Sequence, residues 1–311
     1  MGEVLDFYTP DDLPPEIAVY ESGLEQLSGG NEGKIGALAL RLAYDKSTAR
    51  TVVREQYSRI PLFAQRALYL EESLPSMAYL YIISPSGGVL QGDRYRMDIT
   101  LEESAFAHIT TQGATRIYRM EKNYATQIVN ISIGEASYLE FIPDQIIPYR
   151  NSRFYQKITL RVHESATAIY SEIIVPGRVH SGESFEYDIC YTKVVVKDQA
   201  DVLKFIDVGL IEPKRHDVKS FGVLGEFKVL GTVYIINKKQ DICSKLKQEI
   251  NATLRHSTAV SCGSTLLPSN SGIVVRLLGH NSEDIKKAVY EVASIARKLI
   301  LGAPFTKIRK N

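Results

Sequence analysis

The pattern of apolar and polar positions over the first 240 residues is that of β-strands. In repeated short stretches, apolar residues alternate with small or polar ones, and turn residues stand between the stretches. A period of two is typical of strands that bury one face. The stretches predicted as strands are 35–44, 66–71, 78–83, 94–101, 106–111, 126–133, 137–142, 156–162, 168–175 and 184–196. Because helices do not alternate with these strands, a doubly wound nucleotide-binding sheet is not predicted.

The pattern changes after residue 239. Apolar residues at helical spacing predict one helix at 240–255 and another at 282–301, with a short apolar strand at 273–278 between them. In the second helix, Ser282 is expected to cap the N-terminus and Gly302 to close the C-terminus. The predicted fold class is therefore mainly β, a multi-stranded architecture with two α-helices toward the C-terminus. The residues predicted to form the buried helical stripes are Ile242, Leu246, Ile250, Leu254, Ile285, Val289, Val292, Ile295 and Leu299.

The first 34 residues differ from the rest in being rich in turn chemistry. Pro14-Pro15 and Gly29-Gly30 interrupt any periodic pattern. We therefore predict an irregular N-terminal segment at 1–34 and a single domain at 35–311.

Composition and charge narrow the classes of partner. The chain is 44% hydrophobic and 23% charged, with a net charge of +1, so no global field attracts it to nucleic acid or an anionic membrane. Its three cysteines lie far apart, which argues against a disulfide framework or a zinc motif. The N-terminus lacks the pattern of a signal peptide, and no apolar run has the length of a membrane span. We predict a cytoplasmic location, with neither nucleic acid nor membrane as a partner.

A glycine-rich stretch at 84–93 is the most conspicuous local feature. Gly87, Gly88 and Gly92 suggest backbone conformations that a side chain would forbid. A phosphate loop would need Lys and then Ser or Thr after the last glycine, whereas Asp93 follows Gly92. A tight turn between strands and a loop that binds some other ligand both remain open.

Polar residues are concentrated at 110–118, at the end of a predicted strand. Thr110, Thr111 and Gln112 bring hydroxyl and amide groups together, and Arg116 and Tyr118 follow at alternating positions. The stretch is either an edge strand with solvated side chains or a polar surface that faces a partner or lines a passage.

A third stretch, 177–183, separates two long predicted strands and is expected to be a hairpin connection. Gly177 and Gly182 supply the turn, and Arg178 and Glu183 can pair across it. His180 is interpreted as a surface loop residue rather than a ligand.

Catalytic signatures are missing from the sequence. The six histidines form neither an H-x-H nor an H-E-x-x-H pair, and no G-x-S-x-G elbow occurs. We therefore predict no catalytic residues, no tightly bound cofactor and no fixed metal site, and we expect a protein that is not an enzyme.

Four motifs in order resemble those of the UreD/UreH family of urease accessory proteins. They are Pro-Ser-Gly-Gly-Val-Leu-Gln-Gly-Asp at 85–93, Thr-Thr-Gln-Gly-Ala-Thr-Arg-Ile-Tyr at 110–118, Asp-Gln-Ile-Ile-Pro-Tyr at 144–149, which contains Pro148, and Ser-Glu-Ile-Ile-Val-Pro-Gly-Arg-Val at 171–179 with Gly-Glu-Ser-Phe at 182–185. Arg116 stands where the family often has lysine, which keeps the charge but changes the donor geometry.

The resemblance implies a urease maturation factor, a non-enzymatic scaffold that acts with UreF and the GTPase UreG on apo-urease and assists nickel delivery. It implies transient nickel, GTP bound only by the partner GTPase, and a dimeric assembly through UreF. Because Ni²⁺ must be released, we hypothesise a hydrated passage lined by some of the carboxylates scattered over the strand-rich region. The candidates are Asp93, Asp98, Glu140, Asp144, Glu172, Glu183 and Asp188, of which Asp93, Glu140 and Glu183 are singled out for test. The alternatives are a β-rich interaction module without a metal role and an enzyme for a polar small molecule, with Asp93, Arg116 and Glu183 in one cleft.

Overall fold

The computed structural model describes residues 7–22, 33–255 and 257–305, and most of its regular structure is strand. A seven-stranded sheet contains β1 (Ile35–Asp45), β2 (Arg50–Arg59), β5 (Arg94–Leu101), β8 (Ala125–Ile133), β11 (Arg153–Val162), β13 (Ile189–Lys197) and β14 (Leu203–Ile211). A ten-stranded sheet contains β3 (Phe63–Ala64), β4 (Ala78–Ile83), β6 (Phe106–Thr111), β7 (Thr115–Ile117), β9 (Tyr138–Phe141), β10 (Ile146–Pro148), β12 (Thr167–Ile174), β15 (Val229–Ile236), β16 (Val260–Leu266) and β17 (Gly272–Gly279). The helices are α1 (Pro15–Ala18), α2 (Gln240–Leu254) and α3 (Ser282–Leu301). The prediction of a mainly β fold with two helices near the C-terminus is confirmed.

The chain builds the two sheets by crossing between them. From β4 to β13 the long strands belong alternately to the ten-stranded and the seven-stranded sheet. Within each sheet the new strand lies parallel to the one before it, as in the pairs β5–β8, β8–β11 and β11–β13. The result is a flattened coil whose edges are completed by antiparallel strands, β2 and β14 on one sheet and β15, β17 and β16 on the other.

Strand alternation places two apolar cores on the two faces of the ten-stranded sheet. One core lies between the sheets and contains inward residues such as Met97, Val129 and Phe141. The other lies between the ten-stranded sheet and helices α2 and α3, with Ile169, Val233 and Val289 among its members. Both faces of this sheet are therefore covered, which explains why its strands show nearly continuous burial.

Helix α3 has the predicted bounds but a different N-cap. The side chain of Asn281 accepts a hydrogen bond of 2.9 Å from the backbone N–H of Asp284, and Ser282 is already the first helical residue. Gly302 closes the helix with φ of 68°, as expected for a left-handed C-cap. In the part of the chain that the structure describes, neither α3 nor any other helix combines the length and apolarity needed to cross a membrane.

Residues 7–22 pack against the outer face of the seven-stranded sheet. Ile17 of α1 is fully buried in a cluster with Tyr155, and the Asp12 carboxylate lies 2.6 Å from the Nζ atoms of both Lys157 and Lys193. Residues 1–6 and 23–32, also within the predicted irregular segment, lie outside the described residues. Since β1 begins at Ile35, the boundary predicted at 34/35 coincides with a strand start; the division into domains stays a prediction.

Three expectations about local structure were wrong. The stretch 66–71 is not a strand and makes only an isolated bridge, Leu68 to Tyr79. The stretch 177–183 is not a hairpin, because β12 and β13 belong to different sheets and the chain crosses between them there. The predicted strand 184–196 begins only at Ile189. Strand β2 was missed because most of its residues are exposed, so alternation is absent.

Candidate functional site

The four sequence motifs meet at one end of the space between the sheets. Strand β7 pairs with β10, where Arg116 faces Ile147 and Ile117 faces Pro148. Val89 of the glycine-rich stretch bridges to Ile117, and β10 pairs in turn with β12 through Ile146 and Ile174. Segments that are far apart in the sequence therefore form one continuous rim, which we call the motif rim (residues 84–93, 110–118, 144–149 and 171–185).

The glycines of the rim act through close packing as well as through backbone conformation. A Cβ at Gly88 would lie 2.5 Å from the ring of Tyr118 and 2.7 Å from the carbonyl oxygen of Arg116. Gly87 and Gly92 instead have φ of 76° and 75°, which disfavours any residue with a side chain. The stretch is thus a tight turn held against its neighbour, one of the two readings that the sequence left open.

Asp93 closes this turn from inside. Its carboxylate accepts hydrogen bonds from the backbone N–H groups of Lys34 (2.8 Å) and Leu90 (2.9 Å) and from the Tyr95 hydroxyl (2.9 Å). The side chain is fully buried. Burial raises the pKa of the Asp93 carboxyl, against the opposing effect of these hydrogen bonds. Asp93 therefore joins the turn to the start of β1.

Arg178 and Glu183 form the predicted pair. Arg178 Nε donates to Glu183 Oε2 at 2.9 Å, and a second bond makes the contact bidentate. The guanidinium also lies over the Tyr149 ring, 4.3 Å from its centroid, and Tyr149 meets Tyr118 edge to face. The hydrogen bonds from Arg178 lower the pKa of the Glu183 carboxyl. This cluster ties the segment after β12 to β10.

A cavity of about 380 Å³ opens behind the motif rim, between the two sheets. Thr111, Gln112 and Arg116 line its outer part. Deeper in, inward side chains of both sheets line it, and several of them are polar. The deeper polar lining consists of Tyr95, Gln127, Asp144, Gln156, Tyr170 and Glu172.

The polar lining continues across both sheets as one transverse row. On the seven-stranded sheet, Gln127, Gln156 and Thr192 occupy paired positions of β8, β11 and β13. On the facing sheet, paired positions of β12, β15 and β17 hold three further polar side chains. We call this set the polar row, and its six members are Gln127, Gln156, Thr192, Glu172, Thr232 and Arg276.

Hydrogen bonds join the members of the row in two separate groups, which strand pairing places side by side. Gln127 Nε2 donates to Gln156 Oε1 at 2.9 Å, and Gln156 Nε2 donates to Glu172 Oε2 at 2.7 Å. Arg276 Nη1 donates to Thr232 Oγ1 at 2.8 Å, while its Nη2 donates to Asp207 of β14. The row therefore runs from the cavity to a partly exposed ion pair between β14, an edge strand, and β17, which lies next to the edge strand β16.

Glu172 is the carboxylate at the centre of this row. Burial raises the pKa of the Glu172 carboxyl, and hydrogen bonds from Thr192, Tyr170 and Gln156 only partly oppose that effect. Arg276 acts on it through charge at longer range. A carboxylate surrounded mainly by neutral donors retains the capacity to attract a cation.

Glu140 is also fully buried, but it lies on the opposite face of the ten-stranded sheet. Arg297 of α3 donates from Nε to Oε1 at 2.7 Å and from Nη2 to Oε2 at 2.5 Å, and its Nη1 contacts both oxygens of Glu71. His108 Nδ1 lies 2.7 Å from Glu140 Oε2, and because a carboxylate only accepts, this nitrogen carries the proton. Burial alone would raise the pKa of Glu140, but Arg297 and His108 hold it below its ordinary value. The cluster attaches helix α3 to the sheet.

The three carboxylates singled out for test as passage residues are thus not gathered at one place. Asp93 holds a turn, Glu183 pairs with Arg178, and Glu140 pairs with Arg297 beneath α3. Of the residues that the structure describes, the carboxylates lining the cavity are Asp144 and Glu172. Of Asp93, Arg116 and Glu183, the residues suggested for an enzyme cleft, only Arg116 lines this cavity.

Other motif residues have mixed roles. Thr110 is buried and donates to the Ile142 carbonyl at 2.5 Å, and Thr111 Oγ1 accepts from the backbone N–H of Asp144 at 2.8 Å. Gly177 has φ of 137° and packs against the carbonyl oxygens of Pro148 and Glu183. Gly182, with φ of 77°, caps a short 3-10 turn at Val179–Ser181 that contains the exposed His180.

Sequence reasoning missed most of the polar row. Gln127, Gln156, Thr192 and Thr232 stand in strands where every second residue is inward, and each strand alone gives no sign of which set faces the cavity. Their common signal is a polar residue with apolar residues two positions before and two positions after it, repeated in several strands. Within residues 7–22, 33–255 and 257–305, no group of three or more His, Cys, Asp or Glu side chains has the arrangement of a metal site.

Comparison with known proteins supplies the context for this site. The profile described as UreD urease accessory protein matches residues 36–311. A urease accessory protein UreD of Cenarchaeum symbiosum is 42% identical over 285 residues, covering 92% of this chain and 99% of the relative. A UreD of Yersinia pseudotuberculosis is 37% identical over 290 residues (93% and 89%), and a protein named UreD 2 of Brucella suis is 37% identical over 290 residues (93% and 95%). The chain belongs to the UreD family of urease accessory proteins.

Proposed function

We propose that this protein is a urease maturation factor that passes Ni²⁺ toward apo-urease through the cavity and along the polar row. The observation that supports this most is Glu172, a buried carboxylate whose hydrogen-bonding neighbours are an amide and two hydroxyls. Such a group attracts a dication without a competing cation in direct contact. The amide oxygens and hydroxyls along the row supply further ligand atoms of the kind that Ni²⁺ accepts.

Weak binding is a requirement of this role. A site with several imidazole or thiolate ligands would hold Ni²⁺ too firmly to release it. A single carboxylate with neutral oxygens around it binds the ion loosely and lets water complete its shell. The protein acts as a conduit and scaffold, it is not an enzyme, and nickel is its cargo rather than a resident cofactor.

The partners follow from the family. We propose that the protein works in the cytoplasm with UreF and the GTPase UreG, that the assembly docks on apo-urease, and that GTP is bound only by the GTPase. A dimeric assembly through UreF is part of the same proposal. The exposed polar and basic side chains of the motif rim, such as Gln112, Arg116 and Arg178, suit this end as the one at which a partner hands over the ion.

The test is nickel loading of urease by the purified full complex. Glu172→Gln keeps the size of the side chain and an acceptor for Gln156 but removes the charge, so we expect the nickel content of urease after a fixed time to fall about tenfold. Glu55→Gln is the matched control, because Glu55 is an exposed carboxylate on β2 paired with Arg41. Assembly of both variants is checked by size-exclusion chromatography.

Two outcomes would favour the alternatives. If Glu172→Gln loads urease with nickel at the wild-type rate, the row is not the route. If urease activation then still depends on the protein, a plain interaction module without a metal role becomes the better description.

A further inference from the structure

The polar row ends at a contact that spans both sheets. Arg276 of β17 belongs to the ten-stranded sheet, whereas Asp207 of β14 belongs to the seven-stranded sheet, and the two side chains form an ion pair. Tyr234 of β15 donates a second hydrogen bond, 2.8 Å long, to the same oxygen of Asp207. Two side chains of one sheet therefore reach one carboxylate of the other, and they lie across the gap at the end of the row.

We propose that the Arg276–Asp207 pair is a latch that closes the edge end of the polar row and controls the exit of the cation. This proposal rests on the proposed function, since it assumes that Ni²⁺ travels along the row. It assigns a specific role to two residues that lie outside the motif rim and outside the cavity lining.

The charges at this end explain why the pair would act as a latch. Arg276 donates a hydrogen bond to Thr232, which is paired with Glu172 on the adjacent strand β15. Because β17 lies beyond β15, the guanidinium stands between Glu172 and this side of the sheets. A guanidinium stays protonated at any physiological pH and cannot be neutralised by losing a proton. A dication that leaves Glu172 toward the edge therefore meets a fixed positive charge.

The same pair is able to open. The side chain of Arg276 is 43% exposed and that of Asp207 is 24% exposed, so water competes for both. Exposed ion pairs contribute little to stability, and a docked partner that offers Arg276 another acceptor could separate them at small cost. Once released, the Asp207 carboxylate becomes the next ligand for the ion beyond Glu172.

Three substitutions separate charge from shape in the assembled complex of this protein with its partners and apo-urease. Arg276→Gln removes the fixed charge, Arg276→Lys keeps it, and Asp207→Asn leaves the guanidinium without its counter-charge. The readouts are the rate of nickel arrival in urease and the fraction of nickel that a chelator in bulk solution intercepts. Arg54→Gln is the control, since Arg54 is an exposed arginine paired with Asp45 at the opposite edge of the seven-stranded sheet.

We expect Arg276→Gln to raise nickel arrival, chelator interception or both by about three- to tenfold, because a repulsive charge has been removed. Arg276→Lys should remain near the wild type, and Asp207→Asn should slow arrival. Glu172→Gln is measured beside them. If Glu172→Gln slows nickel arrival in urease while Arg276→Gln matches the wild type in both readouts, the proposed latch is wrong, but the proposed route along the polar row is retained. If Glu172→Gln itself loads nickel as the wild type does, both the proposed route along the polar row and the latch are wrong.

Discussion

Two glutamates are fully buried on opposite faces of the ten-stranded sheet, and their surroundings differ in charge. Glu140 lies under α3 in bidentate contact with Arg297, and Arg297 and His108 lower its pKa. Glu172 lies between the sheets among Gln156, Tyr170 and Thr192, and burial raises its pKa. The first is neutralised by the fold itself and serves as an attachment point. The second is left with its charge uncompensated by direct contact, which is the property that a cation route needs.

The largest expected effect on stability comes from breaking the cluster of Arg297, Glu71 and Glu140 beneath α3. Arg297→Gln leaves Glu71 and Glu140 buried without their cation, which costs about 3–5 kcal/mol of unfolding free energy. Urea denaturation measures this cost. Arg54→Gln, at an exposed pair, should change stability by no more than about 1 kcal/mol. Equal stabilities for the two variants would contradict a structural role for the cluster.

A smaller loss of stability is expected for a substitution in the motif rim. Gly88→Ala pushes a Cβ into the ring of Tyr118 and the Arg116 carbonyl, and such overpacking costs about 1–3 kcal/mol. Gly113→Ala, in the neighbouring segment, is the matched control because a Cβ there meets open space. A difference in melting temperature between these two alanine variants is the measurement. Indistinguishable melting curves would mean that the close approach is not important.

The pH dependence of stability should distinguish the two glutamates, and the larger effect is expected for Glu140. Its pKa is lower in the folded state than the unfolded value of about 4.3, so its contribution is present above that value. The contribution is lost as the pH falls through the folded pKa. Chemical denaturation between pH 7 and pH 3 should therefore show a shallower acid loss in Glu140→Gln than in the wild type. Parallel curves would refute this assignment.

Glu172 should act in the opposite direction and more weakly. Its folded pKa lies above the unfolded value, so its contribution is fully present below the unfolded pKa and is lost as the pH rises through the folded pKa. Relative to the wild type, Glu172→Gln should therefore gain stability as the pH rises from 4 to 8. The same denaturation series measures it, and a relative loss over that range would show that the carboxylate is stabilised in its charged form.

The sequence predicts more of the fold than of the candidate site. Strand β1, most of the long strands from β4 to β13 and both C-terminal helices were predictable, because amphipathic alternation and the stripe through Leu246 and Val289 are local signals. Strands β2, β14, β15 and β16 were not predicted. The hairpin expected at 177–183 was wrong because local turn chemistry does not say which sheet the next strand joins. For the same reason Glu140 and Glu172 were indistinguishable: the crossing between sheets, a non-local feature, decides which face of a strand meets α3 and which meets the cavity.

The most direct test of the account compares these two glutamates in nickel transfer. Glu140→Gln and Glu172→Gln are each assembled with the partner proteins and apo-urease, the complexes are matched in amount, and nickel bound to urease is followed over time. We predict that Glu172→Gln slows loading while being at least as stable as the wild type at neutral pH. We also predict that Glu140→Gln is less stable but loads nickel at the wild-type rate per assembled complex. Slow loading by Glu140→Gln together with normal loading by Glu172→Gln would contradict the assignment of the route to the space between the sheets.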